Sequence, residues 1–396
     1  MERLDNPVRD YAWGSATDIP EFLGVEPGAG PVAELWIGAH PDSPSQVSRD
    51  GATRSLADVI GAQPEAALGA RLVSRFGPRL PFLLKVISAA RPLSLQVHPD
   101  KEYAARAYAA QEQAPGGPRD YTDGNHKPEI ICALRDGFAG LDGFRPVPGT
   151  RALLAELDVP GLGWLAAGLD DADPAASLRE VVTSALTGQA DCSTVIAAVR
   201  AACERIAGDG GPWGLACGAY AVVAAAYPAD PGVLVALLLN YVELAASEAV
   251  FVGAGVPHCY LHGFGAELMA SSDNVLRAGL TSKRVNVPEL LRVLDFTPAE
   301  PEVLRAQPEP DGIEAVYRTP VDDFRLSRLE LDSERATLPA GRPQILLCVE
   351  GRAELQDAAG TGLELRRGQS VFIPATESGV SIGGKATVLR ATTTVS

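Results

Sequence analysis

The sequence predicts a mainly β fold interrupted by an inserted helical domain. Residues 1 to about 145 and about 235 to 305 carry short apolar runs such as PFLLKVIS and AVFVGAG, punctuated by Gly and Pro, which is a strand texture. Residues about 146 to 234 are rich in Ala and Leu. There TRALLAEL, SLREVVTSAL and STVIAAVRAACERIAG repeat apolar residues every three or four positions, the spacing of one helix face. From about 306 to 396 strands return, in FRLSRLEL, QILLCVEGRAELQD, LELRRGQSVFIPA and GKATVLRAT. Short strands joined by Gly turns predict a sandwich or barrel. Three units follow: 1–145 with 235–305, the insert 146–234, and 306–396.

A faint repeat links the two β units. VELAASEAVFVGAGVPHCYL (242–261) aligns with LELRRGQSVFIPATESGVSI (363–382). Each copy reads strand, turn, apolar strand, Pro or Gly turn. The first has a His after its turn and the second does not, as in a duplicated barrel with one working copy.

Composition narrows the function. With 46% hydrophobic and 21% charged residues, 396 residues are ample for a large core. A formal charge of −16 argues against nucleic acid or an anionic membrane as the main partner. The start MERLDNPVRDYAWGS has no basic-then-apolar signal pattern, and Pro228, Asp230 and Pro231 break the most apolar stretch before it reaches membrane length. Six scattered Cys with no CxxC spacing fit a reducing, cytoplasmic setting and argue against a thiolate zinc site.

Candidate chemistry begins with SLQVHPD, residues 94–100. Leu93, Leu95 and Val97 alternate with Ser94, Gln96 and His98, so a two-residue period puts the polar three on one face. That face meets water or lines a site. In NHKPEII, Pro128 biases Lys127 toward extended backbone, which places Lys127 and Glu129 together. They are a surface pair or part of a cation site, because a carboxylate entering an apolar strand is costly alone. His258 follows the tight turn GAGVP. Gln96, His98, Glu129 and His258 together make a mixed N/O donor set suited to zinc, with iron, manganese or cobalt open. The neutral Gln would leave the metal more positive, favouring Lewis-acid work on an oxygen. GAELMASSDNVLRAGLTSK (265–283) adds Glu267, Asp273, Arg277 and Lys283, tied to a core by Met269, Val275, Leu276 and Leu280. Its cations suit a phosphate or sugar oxyanion.

Several longer segments then bear on identity. YAWGS (11–15), AELWIGAHPDSPS (33–45), FLLKVISAARPLSLQVHPDK (82–101), NHKPEI (125–130), VPHCYLHG (256–263) and ELMASSDNVLRAGLTSK (267–283) resemble the signature segments of the type I mannose-6-phosphate isomerases, in order along nearly the whole chain. The resemblance implies tandem cupin-type β-barrels (jelly-rolls) with a helical insert. It implies one zinc on Gln96, His98, Glu129 and His258, and interconversion of mannose 6-phosphate and fructose 6-phosphate through a cis-enediol. Arg277 matches the family's essential arginine, for charge stabilisation or phosphate contact. Glu267 is the preferred general base, with Lys127 as the rival acid/base. Trp13, Lys85, Ser94 and Lys283 match positions lining the family's pocket. Asp273 is expected to orient Arg277 or Lys283. His40, His126 and His262 read as structural. Cys259 and Ser282 stand where the family usually has a small residue and Pro. The expected partner is a small sugar phosphate, with no nucleic acid or membrane and a monomeric chain. An iron-dioxygenase-like cupin and a non-catalytic sugar-binding cupin are the alternatives.

Overall fold

The computed structural model describes every residue except 50, 115, 118, 189, 190, 311, 333 and 396. Two large sheets dominate. An eleven-stranded sheet runs from Val8–Arg9 to Val303–Arg305, and a nine-stranded sheet takes the strands from Gln307–Pro308 to Ser381–Thr392. The first strand, Glu2–Leu4, belongs to the second sheet, pairing antiparallel with residues 370–372. Together the sheets and the helices between them match the expected cupin architecture with a helical insert.

The insert forms helices Val147–Leu157, Gly163–Gly168, Pro174–Thr187, Ser193–Asp209, Gly214–Ala226 and Gly232–Ala236. Asp173 caps the third by accepting from the Ala176 amide, with Pro174 at the first helical position. Their apolar faces share a core with Leu95, Val97, Leu276 and Ala278. The insert therefore backs the very strand that carries Gln96.

Short helices also occur where the sequence reads as strand texture: Leu56–Ala62, Pro64–Leu68, Ala70–Phe76, Lys101–Gln113 and Val287–Val293. Three of them, Leu56–Ala62, Lys101–Gln113 and Val287–Val293, carry a side-chain cap at the N-terminus. Ser55 accepts from the Asp58 amide and Asp100 from the Tyr103 amide, which satisfies end donors in segments with little apolar periodicity.

The strand Glu129–Ala133 has two different faces. Ile130 and Cys132 join Leu84, Val86, Leu268, Phe324 and Leu347 in a core between the two sheets. Ile131 and Ala133 lie on the other side with Phe138, Val252 and Tyr260, and Glu129 shares that side by alternation. The long strand His258–Ala270 bends between Tyr260 and His262, switching partners from Phe138–Phe144 to Phe82–Ala89 and Glu129–Ala133. Gly263 makes the corner possible: its φ is +128°, and a Cβ there would stand 2.6 Å from Phe138 Cα.

Candidate metal centre and substrate cavity

Three strands bring the predicted donors together. His258 and Arg277 both register against Gln96, one on each side. Leu95 and Val97 face the helical insert, so Gln96 turns the other way. Its amide Nε2 donates to Ser94 Oγ at 3.1 Å, and among the described residues its Oε1 has no partner.

His98, Glu129 and His258 are 0%, 1% and 3% exposed, and their ligand atoms lie within 4.8 Å of one another. His98 Nδ1–H donates to the Asn274 carbonyl at 2.7 Å, and His258 Nδ1–H to the Val256 carbonyl at 3.0 Å. A carbonyl can only accept, so these bonds fix the tautomer and leave each Nε2 lone pair inward. His98 Nε2 stands 3.4 Å from Glu129 Oε2, and His258 Nε2 3.2 Å from Glu129 Oε1. Two imidazole nitrogens and a carboxylate so oriented fit zinc, and Gln96 stands on the neighbouring strand opposite His258.

The electrostatics show what the set demands. Burial would raise the Glu129 carboxyl, but above all the Lys127 ammonium beside it holds it well below the usual carboxylate range. Burial and then Lys127 push His98 down to about 4, so its ring is neutral at pH 7, as a ligand must be. Burial also works against protonating His258, yet Glu129 outweighs it and raises that ring. The Lys127 ammonium touches Glu129 Oε2 and lies 3.3 Å from His98 Nε2, supplying positive charge among the donors.

A second layer runs along the neighbouring strands. Tyr260 Oη is 3.0 Å from both Glu129 Oε1 and Glu267 Oε1. Lys85, directly across the sheet from Glu267, places Nζ 3.2 Å from Glu267 Oε2. Burial and the nearby Glu129 raise the Glu267 carboxyl against the two lysines. Lys85 also lies 5.0 Å from the Trp36 ring centre.

Beyond Arg277 opens a cavity of about 590 Å³, lined among others by Tyr121, Thr122, Asp273, Arg277, Lys283 and Arg284. Arg277 and Lys283 have no side-chain partner among the described residues. Arg284 pairs instead with Asp120. Asp273 does not orient Arg277 or Lys283 as expected. It pairs with His40, Nε2 to Oδ2 3.2 Å, because His40 rises from the adjacent strand end with Nδ1 already taken by the Asp42 amide. Trp13 packs against the Ile131 and Tyr260 side and stacks on Tyr11. A separate groove of about 450 Å³ contains Glu248, Arg305, Arg328 and Glu330. Those charges pair with one another and the groove holds none of the predicted residues.

Sequence reasoning missed Tyr260, gave Asn274 in the 265–283 segment no role of its own, and read His40 as structural. Tyr260 had a signal, since it sits two residues from His258 on the same strand face. Asn274 is fully buried; beyond its carbonyl, its side chain accepts from the Thr122 amide and donates to the Asp123 and Asn125 carbonyls. It thus ties the 267–283 segment to the loop leading into Lys127.

Comparison with known proteins agrees with this geometry. Residues 1–147 match the family described as phosphomannose isomerase type I, catalytic domain, and residues 314–393 the mannose-6-phosphate isomerase cupin domain. The chain is 40% identical to mannose-6-phosphate isomerase of Escherichia coli, covering 98% of this chain and 99% of that protein. It is 32% identical to the Homo sapiens enzyme of that name, covering 95% and 93%. A crystal structure of an Arg-to-Ala mutant of phosphomannose isomerase from Salmonella typhimurium superposes with a TM-score of 0.91 at 38% identity, covering all of both chains. A mannose 6-phosphate isomerase structure bound with zinc and yttrium superposes at 0.89, with 38% identity and 99% of each chain. The chain belongs to the type I phosphomannose isomerase family.

Proposed function

We propose that the chain interconverts mannose 6-phosphate and fructose 6-phosphate with Gln96, His98, Glu129 and His258 holding one zinc. The observation that carries this is a juxtaposition. Arg277, an unpaired half-buried cation on the cavity wall, is the cross-strand neighbour of Gln96 in the donor set. A sugar phosphate can therefore meet a cation and the metal centre at once. The bound zinc supplies Lewis-acid stabilisation of developing oxyanion charge at the sugar's C1 and C2 oxygens.

The chain's own residues do the rest. Arg277 and Lys283 attract the anionic substrate into the cavity, and Arg277 offers planar donors to phosphate or enediolate oxygen. Glu267 is the base that moves the proton between C1 and C2; its raised carboxyl is closer to neutral pH than an ordinary one. Lys85 and Tyr260 hold Glu267 from two sides. Lys127, against Glu129, is the rival acid/base and keeps positive charge beside the donors. Ser94 fixes the Gln96 amide, and Asp273, steadied by His40, shapes the phosphate end. Trp13, packed against the Ile131 and Tyr260 side, supplies an apolar wall next to the Tyr260–Glu129 contact.

The family match supports the isomerase and neither alternative cupin function. Division into 1–145 with 235–305, 146–234 and 306–396 is supported by the switch of sheets between Arg305 and Gln307, except that Glu2–Leu4 joins the second sheet. One chain supplies the whole donor set and cavity, which supports a working monomer. All six Cys are free and buried, which fits the cytoplasm. Among the described residues no helix is long and apolar enough to cross a membrane.

The test joins elemental analysis to a coupled isomerase assay on one sample, before and after chelation. One zinc per chain, with activity lost on chelation and restored by zinc, is expected. Zinc-loaded protein without isomerase activity would sink the proposal.

A further inference from the structure

We propose that Asp323, in the C-terminal β unit, is a positioning residue for the isomerase reaction: through His126 it fixes the segment carrying Lys127 and Glu129. The inference rests on the metal-centre reading above. His126 Nε2 lies 3.0 Å from Asp323 Oδ2, 197 residues away. Among the described residues this is the only hydrogen bond the His126 side chain makes. On either side, the chain is held by bonds from its own unit. The Asn125 carbonyl accepts from Ser272 Oγ and Asn274 Nδ2, and the Pro128 carbonyl from the Ala270 amide. Among the described residues, His126 makes the one hydrogen bond by which residues 125–128 are held from the C-terminal unit, from the loop between Glu314–Tyr317 and Arg325–Asp332.

The grip is costly, which argues that it has a use. Asp323 is 2% exposed, and its other oxygen, Oδ1, is buried with no partner among the described residues. A buried carboxylate with an orphan oxygen costs the fold free energy that an apolar side chain would not. Phe324 is fully buried in the core between the sheets, and Asp322 pairs with Arg75 at 2.5 Å. The buried Phe324 beside it ties the carboxylate to the core, while the half-exposed Asp322–Arg75 pair adds little. The next residue after His126 is Lys127, whose ammonium touches Glu129 and reaches His98. A slack His126 would let Lys127 drift, and with it the charge balance of the donor set. Outer partners that orient metal ligands commonly change metal affinity or activity by about 10- to 100-fold.

The experiment uses the full chain and compares Asp323→Ala, Asp323→Asn and His126→Ala. Three readouts are taken: kcat and KM, the rate of zinc release to a chelator, and Tm. Asp323→Ala and His126→Ala should lower kcat about tenfold, leave KM within about twofold, and speed zinc release about tenfold. Asp323→Asn keeps an acceptor for His126 and should stay near wild type. A lowered Tm with unchanged kcat and unchanged zinc release would make the contact merely structural and overturn the proposal. Should either single alanine variant fail to fold, the double variant Asp323→Ala/His126→Ala decides, since it removes both partners and leaves no unpaired buried carboxylate; wild-type kcat and zinc release in it would overturn the proposal. If the wild-type chain binds no zinc, the metal-centre reading fails and takes this inference with it. If it binds zinc and the variants release it at the wild-type rate with unchanged kcat, only this inference fails.

Discussion

The two β units share a plan and differ inside. In both, the repeated segments fold as consecutive strands: Leu239–Leu244, Glu248–Val252 and the strand from His258 in one, Gly362–Arg366, Ser370–Ile373 and the strand from Ser381 in the other. The catalytic unit spends its interior on Glu129, His258, Glu267 and Tyr260. The C-terminal unit fills its interior with Leu329, Leu346, Cys348, Val371, Ile382 and Val388, and its chief buried charges, Arg390 and Glu314, neutralise each other at 2.6 Å. Where the first copy places His258, the second has Gly379 at a positive φ of 70°. The same scaffold therefore carries chemistry or not according to a few side chains, and function is to be argued from those side chains.

If this contrast is right, substitutions in the two interiors should fail in different ways. The largest effect is expected from His98→Ala or His258→Ala. Each should lose zinc and lower activity about a thousandfold or more, since Lewis-acid stabilisation is worth several kcal/mol. Circular dichroism should still show the fold, because four separate apolar clusters do not depend on one ion. Metal content staying at one per chain in both variants would remove these residues from the donor set. Next comes Arg277→Ala, which should retain zinc but lose about 100-fold in turnover, the scale of one charge-stabilising donor. A near-normal rate would take Arg277 out of the mechanism.

The smallest effect on turnover is expected from Glu314→Gln in the C-terminal unit. Stability should fall by about 3 kcal/mol, because Arg390 is left buried without its carboxylate, while kcat in the folded fraction stays unchanged. The pair also predicts a pH dependence. Burial opposes ionisation of Glu314, but Arg390 and Ser327 outweigh it and hold its carboxyl below the ordinary value. Its contribution is then present above the unfolded-state carboxylate pKa of ~4.3 and disappears as pH falls through the lower folded value. Thermal melts from pH 7 to 3 should show wild type losing part of its advantage over Glu314→Gln in that range. A constant gap down to pH 3 would contradict the assignment.

Much of this was legible in the sequence, for a physical reason. The alternation around Gln96 and His98, the turn before His258 and the spacing within the helical insert are local patterns, and local backbone geometry expresses them directly. Helix Lys101–Gln113 was hidden because its main local signal is the Asp100 cap, not an apolar stripe. Asn274, His40 and Asp323 were illegible as site residues because their partners are remote. The Asn274 carbonyl meets His98 across 176 residues, and Asp323 meets His126 across 197. No period or spacing encodes such a meeting. The pairing of Asp273 with His40 was misread for the same reason: sequence proximity favoured Arg277, while folding delivered a nearer donor.

The placement of Glu2–Leu4 in the second sheet has a consequence for how the molecule is made. That strand leaves the ribosome well before its partner: Arg3 pairs with Val371, 368 residues further along. At about 5 to 20 residues per second, the strand waits roughly 20 to 70 s for the segment it must cover. That sheet is therefore completed only once residues 370–372 have emerged. Through that interval the leading segment stays in water, and Glu2, Arg3, Asp5, Arg9 and Asp10 give it the charge that keeps a waiting strand from pairing with a neighbour's.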